Sequence, residues 1–448
     1  MKLDQTYTLA YSVSPANGLD GDYHEFSITP QDTALITAYV RTPWNLTERG
    51  VENGFIWDCV FQEISIENNQ LLLEWRASDH FQQADMGVDS WTTWTGTAED
   101  PWDWFHLTSV QKDSAGNYLI AARYTNAITY ISGKTGKRMW QLGGIRNSFR
   151  DTSQRGTATR FVDPHMARWN DEERTALTVF DNIDTATLDK PTHHSRGVKI
   201  TVDLDRMTAS AVTEFIHPDL VFARTDGSLQ QLENGNYFIA YGSAPVYSEF
   251  SAMGELLCDT HFAPIDSAAE AVQTYRIYKA RWVGFPTQVP VVRRDVDTLY
   301  VHWNGATEVK WWGLEGRDVV GGRQATYKKL GTYKHDTFET AMFFEQLYDY
   351  TTFRLTALDQ YGSALGHWLL DQDGVVSELV YDVADRKGAI TITISPSHLL
   401  MAVVGVLFVV RFVPLGRLSS VLSGRGGLEK QKQMERRSSA ALPLMGEV

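Results

Sequence analysis

Residues 106–144 read HLTSVQKD, SAGN, YLIAARY, TNAITYIS, GKTG and KRMWQLGG in succession. Runs of β-branched and aromatic residues alternate with Gly, Asn, Ser and Thr clusters, the punctuation of short strands joined by tight turns. The stretch therefore predicts four antiparallel strands in a meander. Its second strand has counterparts along the chain: ALITAYV from Ala34, NYLIAARY from Asn117, TALTVFDN from Thr175, NYFIAYGS from Asn236 and TLYVHWNG from Thr298. A four-stranded propeller blade repeats every ~40–50 residues. The wider spacing seen here implies inserted loops, of which the Trp-rich residues 81–104 are one. FRLTALD at 353–359, followed by the turn Tyr361-Gly362, reads as the end of a sixth blade, and QTYTLAYSVS near the start as a strand that closes the ring. The expectation is an all-β, six-bladed β-propeller over residues 1–390, with part of its N-terminal blade missing.

Placed on that repeat, three histidines share one slot. His24 stands ten residues before Ala34, His106 eleven before Asn117 and His165 ten before Thr175. Each opens the innermost strand of its blade, and such starts ring one end of the channel. Arg123 and Asn182 close second strands and Arg196 opens a third strand, so all three are expected at the same end. Imidazoles beside fixed cations are suited to proton transfer or nucleophilic attack on a small anion. The alternative is structural: each imidazole bonds a loop of the neighbouring blade, and Arg196 forms a salt bridge between blades. His193 and His194 read as loop residues, and the remaining histidines show no convergent pattern.

The composition bounds the partners. The net charge is −14, and residues 391–448 contribute seven basic against three acidic side chains, so the body is more acidic still. Such a body repels phosphate backbones, which argues against nucleic acid. Cys59 and Cys258 can pair or both stay free, and no Cys/His cluster suggests structural zinc. Leu399–Val410 is an unbroken apolar run, LLMAVVGVLFVV. Extended from Ile394 to Leu415 it approaches the length that crosses a bilayer. We expect a transmembrane helix over 391–415 and a basic cytosolic tail over 416–448, which places the body in a lumenal or extracellular space. Asn45-Leu46-Thr47 is then a usable glycosylation sequon on Asn45. Residues 1–30 hold no apolar export signal, so either upstream sequence supplies one or the chain is tail-anchored with its body facing the cytosol.

Several phrases together resemble the fungal branch of the arylsulfotransferase family: Asp22-Tyr23-His24-Glu25-Phe26, FQEISIENNQLLLEWRASDH (61–80), PWDWFHLTSV (101–110), DSAGNYLIAARY (113–124), GKRMWQLGG (136–144), PHMARW (164–169), LENGNYFIAYG (232–242), SEF (248–250) and HWNGATEV (302–309). The resemblance implies a six-bladed propeller. It also implies transfer of a sulfuryl group from a phenolic sulfate ester to a phenol, through a covalent sulfohistidine and without a nucleotide or other cofactor. It makes His106 and His165 channel histidines, His24 the histidine of an earlier blade, and Arg196 the family's sulfuryl-holding arginine. The fourth blade's equivalent stretch, Asp226-Gly227-Ser228, supplies no imidazole.

Two further functions compete with sulfuryl transfer. One is a catalytically silent propeller that binds a small anion or a protein partner. The other is a quinone-cofactor dehydrogenase, since Thr135–Trp140 resembles the tryptophan-docking turn of that fold. That reading requires the turn in nearly every blade, and it occurs once.

Overall fold

A computed structural model describes residues 2–87, 90–182, 194–264, 272–320, 323–324, 326–345, 347–371, 373, 376–381 and 392–393. The chain divides into two compact units, Thr8–Trp282 with Met1–Asp4, and Val283–Val448 with Gln5–Tyr7. Both are built of strands. Among the described residues no helix is long and apolar enough to cross a membrane.

The first unit contains four successive antiparallel sheets. The first joins β1 (Phe26–Ile28), β2 (Thr33–Leu46), β3 (Val51–Ser65) and β4 (Leu71–Arg76). The second joins β5 (Leu107–Lys112), β6 (Tyr118–Ala122), β7 (Ala127–Ile131) and β8 (Arg138–Gly143), the meander expected from 106–144. The third joins β9 (Pro164–Trp169), β10 (Ala176–Asp181), β11 (Arg196–Asp203) and β12 (Thr208–Ile216). The fourth joins β13 (Ser228–Gln231), β14 (Tyr237–Ala240), β15 (Val246–Phe250) and β16 (Leu256–His261). Within each set of four the strands pair in chain order, as short connections dictate, while Trp102–Asp103 adds in parallel to β3 and Arg150–Asp151 in parallel to β12.

These sheets stack face to face, and the alternation of side chains along each strand explains how. On β6, Tyr118, Ile120 and Ala122 join Leu35, Phe61 and Trp75 of the first sheet in one core. The residues between them, Leu119 and Ala121, join Trp169, Leu177 and Val179 of the third sheet in the next. Phe180, the neighbour of Val179, packs with Leu229, Tyr237 and Ile239 of the fourth. A strand buried on both faces reads as a continuous apolar run, which is why these second strands look alike in sequence. The first unit is thus propeller-like: each sheet packs on the next, as blades do. The Trp-rich insertion belongs to the core, because Phe81, Trp102, Trp104 and Phe105 fill the cluster between the first two sheets.

The second unit departs from the expected blades. Strands β17 (Val291–Asp295), β18 (Thr298–His302) and β21 (Thr340–Phe343) form one sheet. The other sheet runs β20 (Lys328–Lys334), β19 (Trp311–Arg317), β22 (Thr352–Leu358), β23 (Ala364–Leu370), β24 (Val376–Tyr381) and β25 (Ile392–Thr393). The chain crosses between sheets rather than meandering within one. Leu299, Val301 and Met342 from the first sheet interlock with Trp312, Leu314, Phe353, Leu355 and Trp368 from the second. Alternating burial on β18, β19 and β22 shows strands with one face inward, the mark of a β-sandwich, here with an immunoglobulin-like order. TLYVHWNG and FRLTALD are therefore sandwich strands and not blades five and six.

Ile392–Thr393 pair with Val380 and Tyr381, so strand pairing extends beyond residue 390, the expected end of the body. The expected membrane helix from residue 394 onward and the basic tail lie outside the described residues. Cys59 is buried, Cys258 is exposed, and both are free thiols. Asn45 is exposed and its Oδ1 accepts hydrogen bonds from the Thr47 N–H at 3.1 Å and hydroxyl at 2.7 Å.

Candidate functional site

The three slot histidines do meet, at one end of the stacked sheets. His24 and His106 lie edge to face with centroids 4.8 Å apart. Tyr275 bridges to His165, its ring 5.2 Å from His24 and 6.2 Å from His165. Tyr39 stands 5.1 Å from His24 and 5.8 Å from His106, and Tyr124 stands 5.6 Å from His106. Tyr23 stacks on His24 at 4.4 Å and is 68% exposed, so an aromatic face borders the pocket on its solvent side.

Each imidazole is oriented through Nδ1. His24 Nδ1 donates to Asp22 Oδ1 at 2.5 Å, His106 Nδ1 to Asp103 Oδ2 at 2.5 Å, and His165 Nδ1 to the Asp163 carbonyl at 2.8 Å. An N–H fixed at Nδ1 leaves Nε2 as the atom with a lone pair, and a carboxylate partner makes that lone pair more basic. Burial opposes ionisation of Asp22, but the His24 imidazole and N–H outweigh it and hold the carboxyl below its usual range. Burial drives His165 far below the ordinary histidine value, helped by His106, Arg123 and Arg276, so it is neutral. The acids were legible as a recurring pattern, Asp-Tyr-His at 22–24, Asp-Trp-Phe-His at 103–106 and Asp-Pro-His at 163–165, that slot spacing alone had not drawn attention to.

Beneath the imidazoles lies a buried ionic knot. Glu25 is fully buried and takes Arg168 Nη2 at 2.7 Å, Arg276 Nη1 at 3.0 Å and the Val110 N–H at 3.0 Å. Arg276 Nη2 also donates to the Thr108 carbonyl, and the Tyr275 hydroxyl donates there at 2.8 Å. One carboxylate thus ties the first three sheets to the segment carrying Tyr275 and Arg276. Nothing in the repeat pattern pointed to that segment, because it belongs to no blade.

The expected anion-binding groups differ in what they do. Arg123 Nη2 pairs with Asp163 at 2.7 Å, while its Nε is buried without a hydrogen-bond partner among the described residues. That leaves donor capacity on this fork. Arg196 is engaged within the third sheet: it bonds Asp181 at 2.8 Å, Glu214 at 2.7 Å and the Arg160 carbonyl at 3.2 Å. It is 6% exposed and acts as a structural tie rather than a holder of substrate oxygens. Asn182 Nδ2 donates to the carbonyls of Ala223 and Asp226, both at 2.9 Å, and braces a turn. His193 lies outside the described residues.

A second histidine cluster joins His217, Asp259 and His261. Asp259 faces His217 Nε2 at 3.2 Å and His261 Nε2 at 2.9 Å. His217 Nδ1 accepts the Asp219 N–H at 3.1 Å, so its proton sits on Nε2. A ring in that tautomer offers no free lone pair to a metal at Nε2.

A family model described as Arylsulfotransferase (ASST) matches residues 1–263. The chain belongs to the arylsulfotransferase (ASST) family. The arylsulfotransferase match spans His24, His106, His165 and Arg123 and stops before Tyr275 and Arg276. No curated protein is similar enough to count as a match. Solved structures similar to this arylsulfotransferase-family chain include a protein of unknown function from Bacteroides caccae, at 10% identity over 79% of this chain and 96% of that one, with TM-score 0.28. Another is a β-propeller domain from Myceliophteria thermophila, at 7% identity over 81% and 88%, with TM-score 0.30. A luciferin-regenerating enzyme is 10% identical over 63% and 84%, with TM-score 0.31. Likenesses this slight carry no argument about the site.

Proposed function

We propose that this arylsulfotransferase-family chain moves a sulfuryl group from a phenolic sulfate ester to a phenol through His106. The carrying observation is the convergence of three imidazoles, each oriented at Nδ1 and so left with Nε2 as the reactive nitrogen. His106 is the nucleophile in this reading because its side chain is 17% exposed, against 5% for His24, and its orienting partner is a carboxylate. Its Nε2 attacks sulfur, the ester S–O bond breaks, and the donor leaves as its phenolate with the bond's electron pair. The sulfohistidine then passes the group to the acceptor oxygen, so one difficult step becomes two easier ones. Arg123 stabilises the charge spread over the sulfuryl oxygens, and His24, edge to face with His106 at 4.8 Å, holds that ring in place. His165, buried and neutral, serves as a hydrogen-bonding wall.

Purified protein given a chromogenic aryl sulfate and a phenol acceptor should release the chromophore. His106→Ala should abolish release, His24→Ala should slow it on the order of 10²-fold by loosening the His106 ring, and Arg196→Lys should act through stability alone. Turnover indifferent to His106→Ala would remove this reading and leave a silent anion- or partner-binding body. As part of the same proposal, residues 394–415 anchor the chain in a membrane and Asn45 carries a glycan.

A further inference from the structure

The slot that holds an imidazole in the first three sheets holds a carboxylate in the fourth. Asp226 stands ten residues before Asn236, the spacing that sets His24 before Ala34 and His165 before Thr175. Its backbone is left-handed, φ 65°, a conformation shared by His106 at 56° and Asp163 at 52° on entry to their own sheets. Asp tolerates that region better than most residues. Three contacts fix it there. Its carbonyl accepts Asn182 Nδ2 at 2.9 Å, the next N–H, of Gly227, bonds the Tyr275 carbonyl at 3.1 Å, and Gly242 lies so close that a Cβ would sit 2.5 Å from the Asp226 carbonyl carbon.

The side chain is lightly tied: the Thr225 hydroxyl donates to Oδ2 at 3.3 Å. Its surroundings are those of the pocket. His24, His106 and Arg123 lie within electrostatic reach of the carboxyl, and the carboxyl lies within reach of the hydroxyls of Tyr23 and Tyr275. Burial holds the group above the usual aspartate range, and the Thr225 hydrogen bond and the nearby Arg123 offset this only in part. A carboxylate whose proton affinity is raised in this way is a better base than a solvated aspartate.

We propose that Asp226 is the general base of the second half-reaction, taking the proton from the acceptor hydroxyl as that oxygen attacks sulfur. The role rests on the sulfuryl-transfer reading above. The acceptor O–H bond breaks and its proton goes to the Asp226 carboxylate. The acceptor oxygen forms the new S–O bond, the bond between sulfur and His106 Nε2 breaks, and its electron pair returns to the imidazole. Asp226 then releases the proton to water. The first half-reaction needs no proton removed from a hydroxyl, so the two steps should depend on Asp226 unequally.

The test follows both steps in the full chain by rapid mixing. Release of the chromogenic phenol reports sulfation of the enzyme, and decay of the sulfo-enzyme with phenols of graded acidity reports the second step. In Asp226→Asn the phenol burst should stay within about threefold of the parent. The acceptor step should slow on the order of 10²–10⁴-fold, most for weakly acidic phenols and least for those that ionise unaided, and the acidic limb of its pH profile should disappear. Asp226→Glu should restore part of the rate. Equal slowing of both steps, or an acceptor step unchanged or slowed alike for all phenols, overturns the assignment. Absence of any burst in the parent protein instead overturns the sulfuryl-transfer reading beneath it.

Discussion

At the scale of single residues, the site's chemistry depends on which nitrogen of each imidazole carries the proton. Asp103 fixes that choice at His106 through a 2.5 Å bond to Nδ1. Replacing it by Asn keeps the shape but lets the ring adopt the other tautomer, with Nε2 protonated and unreactive. Asp103→Asn should therefore lower the phenol burst rate by on the order of 10²–10⁴-fold, read in the same rapid-mixing assay, with little change in donor binding. His165 gives a prediction on stability. Its folded-state proton affinity is depressed by burial, so the unfolded chain binds more protons below the unfolded value of about 6.5. The associated stability is present above that pH and is lost as pH falls toward the folded value. Urea midpoints should drop between pH 7 and pH 5.5, and His165→Gln, which can still bond the Asp163 carbonyl, should flatten part of that fall.

At the scale of elements, the entry to the fourth sheet is set by glycines. Gly227 has φ 115°, and a Cβ there would sit 2.3 Å from the Phe180 ring on the third sheet. Backbone and packing both exclude a side chain. Gly235, in the β13–β14 turn, also has positive φ (85°) but nothing within 4 Å of its Cβ position. Gly227→Ala should cost about 2–3 kcal/mol in chemical denaturation, against about 1 kcal/mol for Gly235→Ala. Because Gly227 follows Asp226, its substitution should also slow transfer to the acceptor, whereas Gly235→Ala should leave it unchanged. The second strands of the last three sheets in the first unit were legible because they are buried on both faces and their residues recur in kind. The sandwich strands were legible as strands but not as a sandwich: alternating burial looks the same wherever the second sheet lies, and the chain order of strands does not state which ones pair.

At the scale of the whole chain, the residues of the candidate site lie between Asp22 and Arg276, within the first unit. The apolar run at 399–410 is a separate matter of partition. Membrane fractions from cells expressing the full chain should retain the protein through an alkaline carbonate wash, and a chain ending at residue 393 should move to the soluble fraction. Full-length protein in the supernatant would rule out the anchor. The charge balance supports the same division of labour, an acidic body and a basic terminal segment.

By itself the sequence determined that the body is all-β, that His24, His106 and His165 occupy one repeated slot, and which family it resembles, because periodicity and local turn chemistry are written in neighbouring residues. It also held the recurring acid before each histidine and the carboxylate of the fourth slot. Only the tertiary structure decided that Arg196 is consumed by Asp181 and Glu214, that Tyr275 and Arg276 reach the pocket from outside any sheet, and that the last strands form a sandwich. Those outcomes turn on contacts between residues far apart in the chain. Which distant partner an arginine, a tyrosine or a strand edge meets is fixed by packing as a whole and by no feature of its local sequence.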